Sequence, residues 1–351
     1  MKKLVVFGVG MGGLILIQKL QKLKLDVEVI IVEPKDYVEV PYATLRGLVD
    51  KKFGKTIRRR IIDLTSYKHV NAKLTTLNKN SALLDNGEEI KFDYAVVATG
   101  SQIRGFSELK VNYAQTFEQR ELQWVEESEK LEQSKNIVII GGGPVGVELA
   151  GEIGEVYPEK KVTLIHSTNR LLPALSKSVG MKAERVLKKL GVEFIFNEMA
   201  QVEGDSGRYY VKLKSGEILP ADVVYMSLGV LNETSFLQRN FSENINEKNQ
   251  VVVDDYLRIK GSNNIWALGD INSTPEIKLG AFAKLQAENI VSNMKRILNN
   301  KKTVPYKPTT GNMGFITLGK KSGIAILPKL RLDLMIIIKQ KDLFLSMYFK
   351  K

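Results

Sequence analysis

Two glycine-rich turns are the features of this sequence whose residue types and spacing most clearly indicate chemistry. Residues 8–13 read GVGMGG and residues 141–146 read GGGPVG, and both fit the pattern G-x-G-x-x-G. Between a strand and a helix, such a turn can hold the pyrophosphate of a dinucleotide, because its glycines let the backbone approach closely and the helix N-terminus supplies free N–H groups. The motif alone is weakly specific, so the flanking elements decide its meaning.

The first turn lies inside a strand–turn–helix–strand unit. KLVVF at residues 3–7 reads as a buried parallel strand, residues 14–24 place apolar side chains at helical spacing, and VEVIIV at 27–32 reads as the return strand. Glu33 ends that strand, where a carboxylate can accept hydrogen bonds from the hydroxyls of an adenosine ribose. The alternative is a glycine-rich turn that binds nothing. The cofactor-binding residues predicted from this unit are Gly8, Gly10, Gly12, Gly13 and Glu33.

The second turn repeats this unit with one difference. NIVII at residues 136–140 precedes the turn, VELAGEI continues it as a helix, and KVTLI at 161–165 reads as the return strand. Twenty residues after the last glycine of each turn stand Glu33 in the first unit and His166 in the second. The register is the same, so His166 occupies the ribose-reading position of the second unit.

Two such units predict two dinucleotides, most simply a flavin and a nicotinamide between which a hydride can pass. DYAVVATGS at residues 93–101 and NIWALGDI at 264–271 are buried strands that run into tight turns. They resemble the A-T-G and G-D signatures of two-dinucleotide flavoprotein reductases, which implies that Thr99, Gly100 and Asp270 bind FAD. For Asp270 the alternative is the N-cap of a following helix.

The histidine at the second ribose-reading position bears on which nicotinamide is used. An acid there would repel the 2′-phosphate of NADPH, whereas His166, with Ser167 and Arg170 nearby, removes the repulsion and offers donors. We therefore expect both NADH and NADPH to serve, with some preference for NADPH. The residues predicted to bind this cofactor are Gly141, Gly143, Gly146, His166, Ser167 and Arg170.

Composition narrows the chemistry further. The 351 residues include no cysteine and two histidines, which argues against a redox-active dithiol, a thiol nucleophile and a metal site. The net charge is +13, with 13 basic against 6 acidic residues in 1–60 and 11 against 2 in 301–351. Basic ends favour an anionic partner, such as a membrane surface, nucleic acid or a phosphorylated ligand. A merely solubilising surface is the alternative.

The order of the segments predicts an α/β protein with two Rossmann-like dinucleotide-binding domains, one for FAD and one for NAD(P)H, and a small C-terminal segment. GEEIKFDY and GEILPADVVYMSLG echo each other, as expected if the two domains share a plan. The predicted FAD domain comprises residues 1–107 and 254–305, the NAD(P)H domain is inserted at 108–253, and the C-terminal segment spans 306–351.

Nearly the whole chain resembles the pyridine-nucleotide flavoprotein superfamily, which includes the type II NADH dehydrogenases. The resemblance is closer to its apoptosis-inducing-factor-like branch, and within that to the ferroptosis suppressor proteins. EVYPEKKVTLIHS at residues 155–167 and IKQKDLF at 338–344 are the most specific stretches that carry it. It implies FAD-dependent reduction of a ubiquinone- or vitamin-K-like quinone by NAD(P)H at a membrane surface.

The resemblance also implies roles for residues that the spacing does not single out. Arg46 would contact FAD, and Ala72 would meet the adenine through its backbone. Glu148 would be catalytic at the junction of nicotinamide and flavin. Its alternative is a surface carboxylate spaced i,i+4 with Glu152 on a helix.

The same resemblance points to the C-terminal segment and to one helix. Lys339 would be catalytic, stabilising negative charge on a reduced flavin or a quinol oxygen, and Phe344 would stack on or gate the quinone. A snorkelling lysine and a core aromatic are the alternatives. AFAKLQ at residues 281–286 loosely resembles the quinone-facing helix of type II NADH dehydrogenases, which adds Gln286 and Phe282 as predicted quinone contacts.

The sequence also departs from the closer family. The Met-Gly start needed for myristoylation is missing, Ile271 stands where cysteine is common, and the tail after Phe344 is short. Neither a secretory signal nor a membrane-spanning run is evident, so we expect an intracellular protein, cytoplasmic or peripheral on a membrane or lipid droplet. Both monomer and homodimer are open.

Two other functions remain possible from the sequence. KKFGKTIRRR at residues 51–60 suggests nucleic-acid binding through phosphates, although no base-reading module is apparent. A basic surface would also suit a small acidic electron-transfer protein as the electron acceptor.

Overall fold

The computed structural model describes residues 1–105, 115–205, 207–309, 314–327, 330–331 and 336–349. The predicted domain boundary between residues 107 and 108 lies outside them. The helices are α1 (Met11–Leu23), α2 (Thr44–Val49), α3 (Lys51–Gly54), α4 (Ile61–Leu64), α5 (Phe117–Gln133), α6 (Pro144–Val156), α7 (Lys177–Lys189), α8 (Gln238–Phe241), α9 (Gly280–Leu298), α10 (Ile336–Asp342) and α11 (Leu345–Tyr348).

The strands in the first half of the chain are β1 (Lys2–Phe7), β2 (Val27–Val32), β3 (Tyr37–Glu39), β4 (Arg58–Arg60), β5 (Lys68–Val70), β6 (Leu74–Leu77), β7 (Ser81–Leu84), β8 (Glu89–Lys91), β9 (Tyr94–Val97), β10 (Gln102–Ile103), β11 (Asn136–Ile140) and β12 (Lys161–His166). Those in the second half are β13 (Val192–Phe196), β14 (Ala200–Asp205), β15 (Arg208–Leu213), β16 (Ile218–Ala221), β17 (Val223–Met226), β18 (Val230–Leu231), β19 (Ile265–Ala267), β20 (Gly314–Thr317), β21 (Gly323–Leu327) and β22 (Leu330–Arg331).

Two parallel sheets form the centres of the two units. The first has the order β19-β9-β1-β2-β5 and the second the order β13-β12-β11-β17. The chain thus returns to the first sheet with β19, which pairs in parallel with β9 after the whole second sheet has been built. The strands are apolar on both faces because helices and loops cover both sides; Val5, Val6 and Phe7 are fully buried. The predicted α/β class with two Rossmann-like units is confirmed.

Each parallel sheet is accompanied by a small antiparallel sheet, β6-β7-β8 in the first unit and β14-β15-β16 in the second. In both units the last of these three strands leads directly into a strand of the parallel sheet, β9 or β17. The two similar sequence segments around residues 87–94 and 216–229 occupy these equivalent places.

Helix α5 is held beside the first unit by a buried ionic cluster. Glu39 accepts hydrogen bonds from Arg58 and Arg120 at 2.8 Å each, and both guanidinium groups lie over the ring of Trp124. Burial works to raise the pKa of Glu39, but the two guanidinium groups outweigh it and hold that pKa below its usual value. Because Arg58 and Arg120 are buried, loss of Glu39 would leave uncompensated charge, at a cost of about 3–5 kcal/mol.

The C-terminal segment folds back over both units. Strands β20, β21 and β22 form an antiparallel sheet, and β20 packs against α6 and α10. At the far end the Gln18 side chain of α1 donates a 2.8 Å hydrogen bond to the carbonyl of Tyr348. Among the helices of the described residues, none combines the length and the apolar character needed to cross a bilayer.

Candidate functional site

The outer glycines of each turn are required by the protein's own backbone. Gly8 has φ +97° and Gly141 has φ +115°, a region that favours glycine. A Cβ atom on Gly13 would lie 2.2 Å from the carbonyl oxygen of Gly8, and one on Gly146 would lie 2.0 Å from that of Gly141. Each helix therefore packs directly on its turn. Gly12 serves packing too, because its Cβ would lie 3.2 Å from the Leu268 side chain.

The middle glycines are different, because the protein itself has room for a side chain there. Gly10 and Gly143 have ordinary φ values of −66° and −77°. A Cβ on Gly10 would meet only the Ala98 carbonyl at 4.0 Å, and a Cβ on Gly143 would meet nothing within 4 Å. Neither α1 nor α6 has a side-chain cap or an acidic residue in its first turn. Open space before uncapped N–H groups fits a pyrophosphate in both units.

Glu33 and His166 occupy the same position in the two units. The Val9 N–H donates to Oε2 of Glu33 at 2.9 Å, and the Gly142 N–H donates to Nδ1 of His166 at 3.1 Å. Both donors directly follow the first glycine of their turn. The end of the return strand is thus tied to the turn in each unit, by a carboxylate in one and an imidazole in the other.

The hydrogen bond from Gly142 fixes the tautomer of His166. Because Nδ1 accepts, the proton of the neutral ring is on Nε2, and burial lowers the pKa of His166, which favours this neutral form. Nε2 is buried and has no hydrogen-bond partner among the described residues, so it is an unsatisfied donor that a bound ligand could pair with. Ser167 is exposed, and the Arg170 guanidinium donates to the carbonyls of Leu172, Pro173 and Leu175.

The two turns predicted to flank the flavin come together. Thr99 and Gly100 follow the end of β9, and the next residue, Ser101, donates from Oγ to Oδ2 of Asp270 at 2.7 Å. The alternative of Asp270 as a helix N-cap is wrong, since it lies inside a single 3-10 turn at Gly269–Ile271. Ala72 is buried, and its N–H donates to the Val70 carbonyl at 3.0 Å.

Glu148 and Lys339, 191 residues apart, form a buried ion pair. Nζ of Lys339 donates to Oε1 of Glu148 at 2.6 Å and to the Phe315 carbonyl at 3.0 Å. The same Oε1 accepts from the N–H and the hydroxyl of Thr317 at 2.8 and 3.0 Å. Glu148 is 7% exposed, so the alternative of a surface carboxylate is wrong. The pair joins α6, which follows the second glycine turn, to the C-terminal segment.

A second buried ion pair lies one helical turn further along α6. The Arg46 guanidinium of α2 contacts both carboxylate oxygens of Glu152, the shortest distance being 2.9 Å. Burial raises the pKa of Glu152, against the opposing effect of Arg46. Arg46 also donates to the carbonyls of Gly319 and Gln340. It therefore binds the first unit, the second unit and the C-terminal segment together.

Aromatic residues lie close to the lysine of the first ion pair. Nζ of Lys339 lies 5.8 Å from the ring centre of Tyr42, and the Tyr42 and Tyr348 rings are 6.3 Å apart. The Phe344 ring meets Phe315 edge-on at 5.7 Å. Phe344 and the preceding Leu343 both have positive φ, +57° and +48°, a costly backbone for bulky residues that often marks a functional site.

The two predicted quinone contacts on α9 are both buried. Phe282 is 1% exposed and Gln286 is 2% exposed. The Gln286 amide is bonded at both ends to protein groups near the Gly269–Ile271 turn.

Several residues of the site were not found from the sequence. Thr317, Tyr42 and Tyr348 carry no motif. Only tertiary structure brings Thr317 to Glu148, Tyr42 to Lys339 and Tyr348 to Tyr42. Glu152 was noted only as a spacing partner of Glu148, although two carboxylates four residues apart on an otherwise apolar helix indicate one polar stripe that needs two cations.

Comparisons with known proteins show the family to which the chain belongs. A family model described as pyridine nucleotide-disulphide oxidoreductase matches residues 2–287. Ferroptosis suppressor protein 1 of Xenopus tropicalis is 26% identical over 361 residues, covering 99% of this chain and 95% of that protein. Apoptosis-inducing factor homolog A of Dictyostelium discoideum is 28% identical over 326 residues, covering 86% and 78%. These relatives confirm the resemblance seen in the sequence.

A solved structure shows the same fold over almost the whole chain. The sulfide:quinone oxidoreductase of Aquifex aeolicus superposes with a TM-score of 0.76 at 16% identity, covering 99% of this chain and 92% of that one.

Proposed function

The chain belongs to the pyridine nucleotide-disulphide oxidoreductases, and we propose that it is an FAD-dependent NAD(P)H:quinone oxidoreductase that works at a membrane surface. Its cofactors are FAD and NAD(P)H, and it is an oxidoreductase. Reduction of a disulphide by its own cysteines is excluded because the sequence has none. The acceptor must therefore take electrons from the flavin directly.

The observation that carries the proposal is the buried Glu148–Lys339 pair, with the Tyr42 ring and Phe315 close to the lysine. When bound, FAD accepts a hydride from NAD(P)H and passes two electrons to the acceptor. Lys339, which donates a hydrogen bond to Glu148, would stabilise negative charge developing on a quinone oxygen. Phe344 and Phe315 would provide the apolar wall against which a quinone ring stacks. Catalytic roles for Glu148 and Lys339 follow from this assignment.

The cofactor residues are assigned from the two turns. FAD would lie along Gly10, Glu33 and the facing Thr99 and Asp270 turns, with Ala72 at the adenine. Arg46 would support the FAD site indirectly, because its guanidinium group already donates hydrogen bonds to Glu152 and to backbone carbonyls. NAD(P)H would lie along the second turn. The residues assigned to it are Gly141, Gly143, Gly146, His166, Ser167 and Arg170.

Ion pairs within the protein weaken the support for the nucleic-acid alternative. In the stretch 51–60, Lys51 pairs with Glu132, Arg58 with Glu39, and Arg60 with Glu118. Three of the six basic residues in this run are thus paired with carboxylates of the protein, and one of them, Arg58, is buried, which leaves less positive charge free for phosphates.

Turnover measurements test the proposal. We expect NADH and NADPH to bleach the bound flavin and short-chain quinones to reoxidise it over many cycles. A flavin that neither nucleotide bleaches, or quinones that give no turnover while a small acidic electron-transfer protein does, would refute the quinone assignment.

Flotation tests the membrane part of the proposal. The C-terminal basic residues should bind liposomes that contain anionic lipid and leave neutral liposomes unbound. Equal binding to both kinds of liposome contradicts an electrostatic attachment.

A further inference from the structure

Glu276 is a buried carboxylate to which no role has been given above. It is 5% exposed and lies between the Gly269–Ile271 turn and α9. Three groups donate to it: the Tyr306 hydroxyl at 2.7 Å, the Thr309 N–H at 2.8 Å, and Nε2 of Gln286 at 2.9 Å. Two of these donors belong to the segment that leads into the C-terminal part of the chain.

Gln286 passes this connection on to the flavin side. Its Oε1 accepts from the Gly269 N–H at 2.9 Å and from the Asn272 side-chain amide at 2.8 Å. Because Oε1 faces two donors, the amide has one orientation, and its NH₂ group must face an acceptor. Glu276 is its nearer acceptor at 2.9 Å, and the Thr274 hydroxyl oxygen is a second one at 3.2 Å. Gly269 has φ +81°, so the turn that Gln286 holds is tight.

The turn held in this way carries Asp270. The Asn272 amide also donates to the Ala267 carbonyl at 3.0 Å, and Lys278 donates to the carbonyls of Asn272 and Thr274 at 2.7 and 3.0 Å. The loop after β19 is therefore fixed from within as well as through Gln286. With Asp270 also accepting from Ser101, little freedom is left to its carboxylate.

We propose that Glu276 is a positioning residue for FAD, which acts through Gln286 to fix the Gly269–Ile271 turn and ties that turn to residues 306–309. The inference rests on the proposed contact between Asp270 and FAD. It gives Gln286 a task on the flavin side, in place of direct contact with a quinone. Reaction chemistry is unaffected except through the position and the electrostatic environment of the flavin.

Exchanging the two side chains tests this relay. In Glu276→Gln, one amide NH₂ faces another donor whichever way the new side chain turns; in Gln286→Glu, two carboxylates face each other. In the double variant the bond between the two side chains can re-form, because the amide at 276 donates to the carboxylate at 286, which still accepts from Gly269 and Asn272. Only the longer bond from Gln286 to the Thr274 hydroxyl, at 3.2 Å, is lost. We expect each single variant to raise the FAD dissociation constant about tenfold, measured by dilution of the holoprotein, and the double variant to recover within about threefold.

The double variant also provides a readout that a purely structural role would not move. It shifts the negative charge from 276 to 286, one hydrogen bond nearer the turn. A nearer negative charge makes flavin reduction harder, so the midpoint potential should become more negative than in the parent protein although affinity is restored. An unchanged potential, or a double variant no better than the single ones, overturns the proposal.

Two further variants protect the test against simple misfolding. Tyr306→Phe removes one donor to Glu276 and should weaken FAD binding about threefold. Asn293→Ala is the matched control: Asn293 is equally buried on α9 and joins it to Val304 by two 2.8 Å bonds, but touches neither the turn nor Glu276. It should lower thermal stability without changing FAD affinity. If Asn293→Ala and Glu276→Gln lose FAD equally, the proposal is overturned. If the FAD affinities follow the expected order but no quinone is turned over, only the proposed substrate is refuted.

Discussion

Replacing His166 by glutamate tests directly how the second unit selects its nucleotide. The fold should tolerate the change, because the first unit holds a carboxylate at this position: the Val9 N–H donates to Glu33 just as the Gly142 N–H donates to His166. The new charge would face the 2′-phosphate of NADPH and not the 2′-hydroxyl of NADH. Glutamate should therefore penalise NADPH selectively.

The magnitude follows from the partial burial of His166. Two unit charges about 4 Å apart repel by about 1 kcal/mol in water and about 4 kcal/mol near a protein surface. For a half-buried position we take about 2 kcal/mol, which corresponds to a factor of about 30 in an equilibrium or rate ratio. The ratio of kcat/KM for NADPH to that for NADH should fall by about this factor.

The assay is steady-state quinone reduction with each nucleotide, on protein with equal flavin content. His166→Gln is the matched control, because its amide can accept from Gly142 and donate at the outer end while staying neutral; its ratio should remain within about threefold of the wild type. If the glutamate variant keeps the wild-type ratio, then position 166 does not read the ribose, and the assignment of the second turn to nucleotide selection is wrong.

Three further outcomes follow from the buried charges. Lys339→Met should abolish most quinone turnover and lower the free energy of unfolding by about 3–5 kcal/mol, because it leaves the buried Glu148 without its cation. Adding Glu148→Gln should restore much of the stability but not the turnover. Urea unfolding and activity assays check these two outcomes. Arg46→Met should lower the free energy of unfolding by a similar amount, and adding Glu152→Gln should restore it. If the double variant is no more stable than Arg46→Met, the two residues do not form an ion pair that is independent of other charges. Because burial lowers the pKa of His166, the unfolded chain binds more protons than the native one just below pH 6.5. The free energy of unfolding should therefore fall as the pH drops through that range. Thermal melts of His166→Gln at the same pH values should show a smaller fall.

The sequence was sufficient for the parts of the fold that are local. Each glycine turn, its helix and its return strand lie within about thirty residues, and their patterns are set by neighbours in the chain. Glu33 and His166 could be placed in equivalent positions from spacing alone, which the matching hydrogen bonds bear out in geometry. That β19 returns to the first sheet could be predicted only from the order of segments along the chain.

The buried charged residues could not be predicted from local sequence patterns. Arg58, Arg120 and Glu276 belong to residue types that are usually exposed, and their burial depends on partners 19 to 81 residues away or on a separate segment. Glu148 and Lys339 were singled out only by resemblance. No spacing rule could have joined them, because the pairing depends on how the C-terminal segment folds back.

The three-way attachment of Arg46 limits how the molecule can move. Any rotation of one nucleotide-binding unit against the other would have to break the buried ion pair between Arg46 and Glu152, together with the bonds of Arg46 to Gly319 and Gln340. The two nucleotide-binding units should therefore behave as a single rigid body. Substrate and product exchange would then depend on rapid side-chain motions, on nanosecond scales, and not on slow hinge opening.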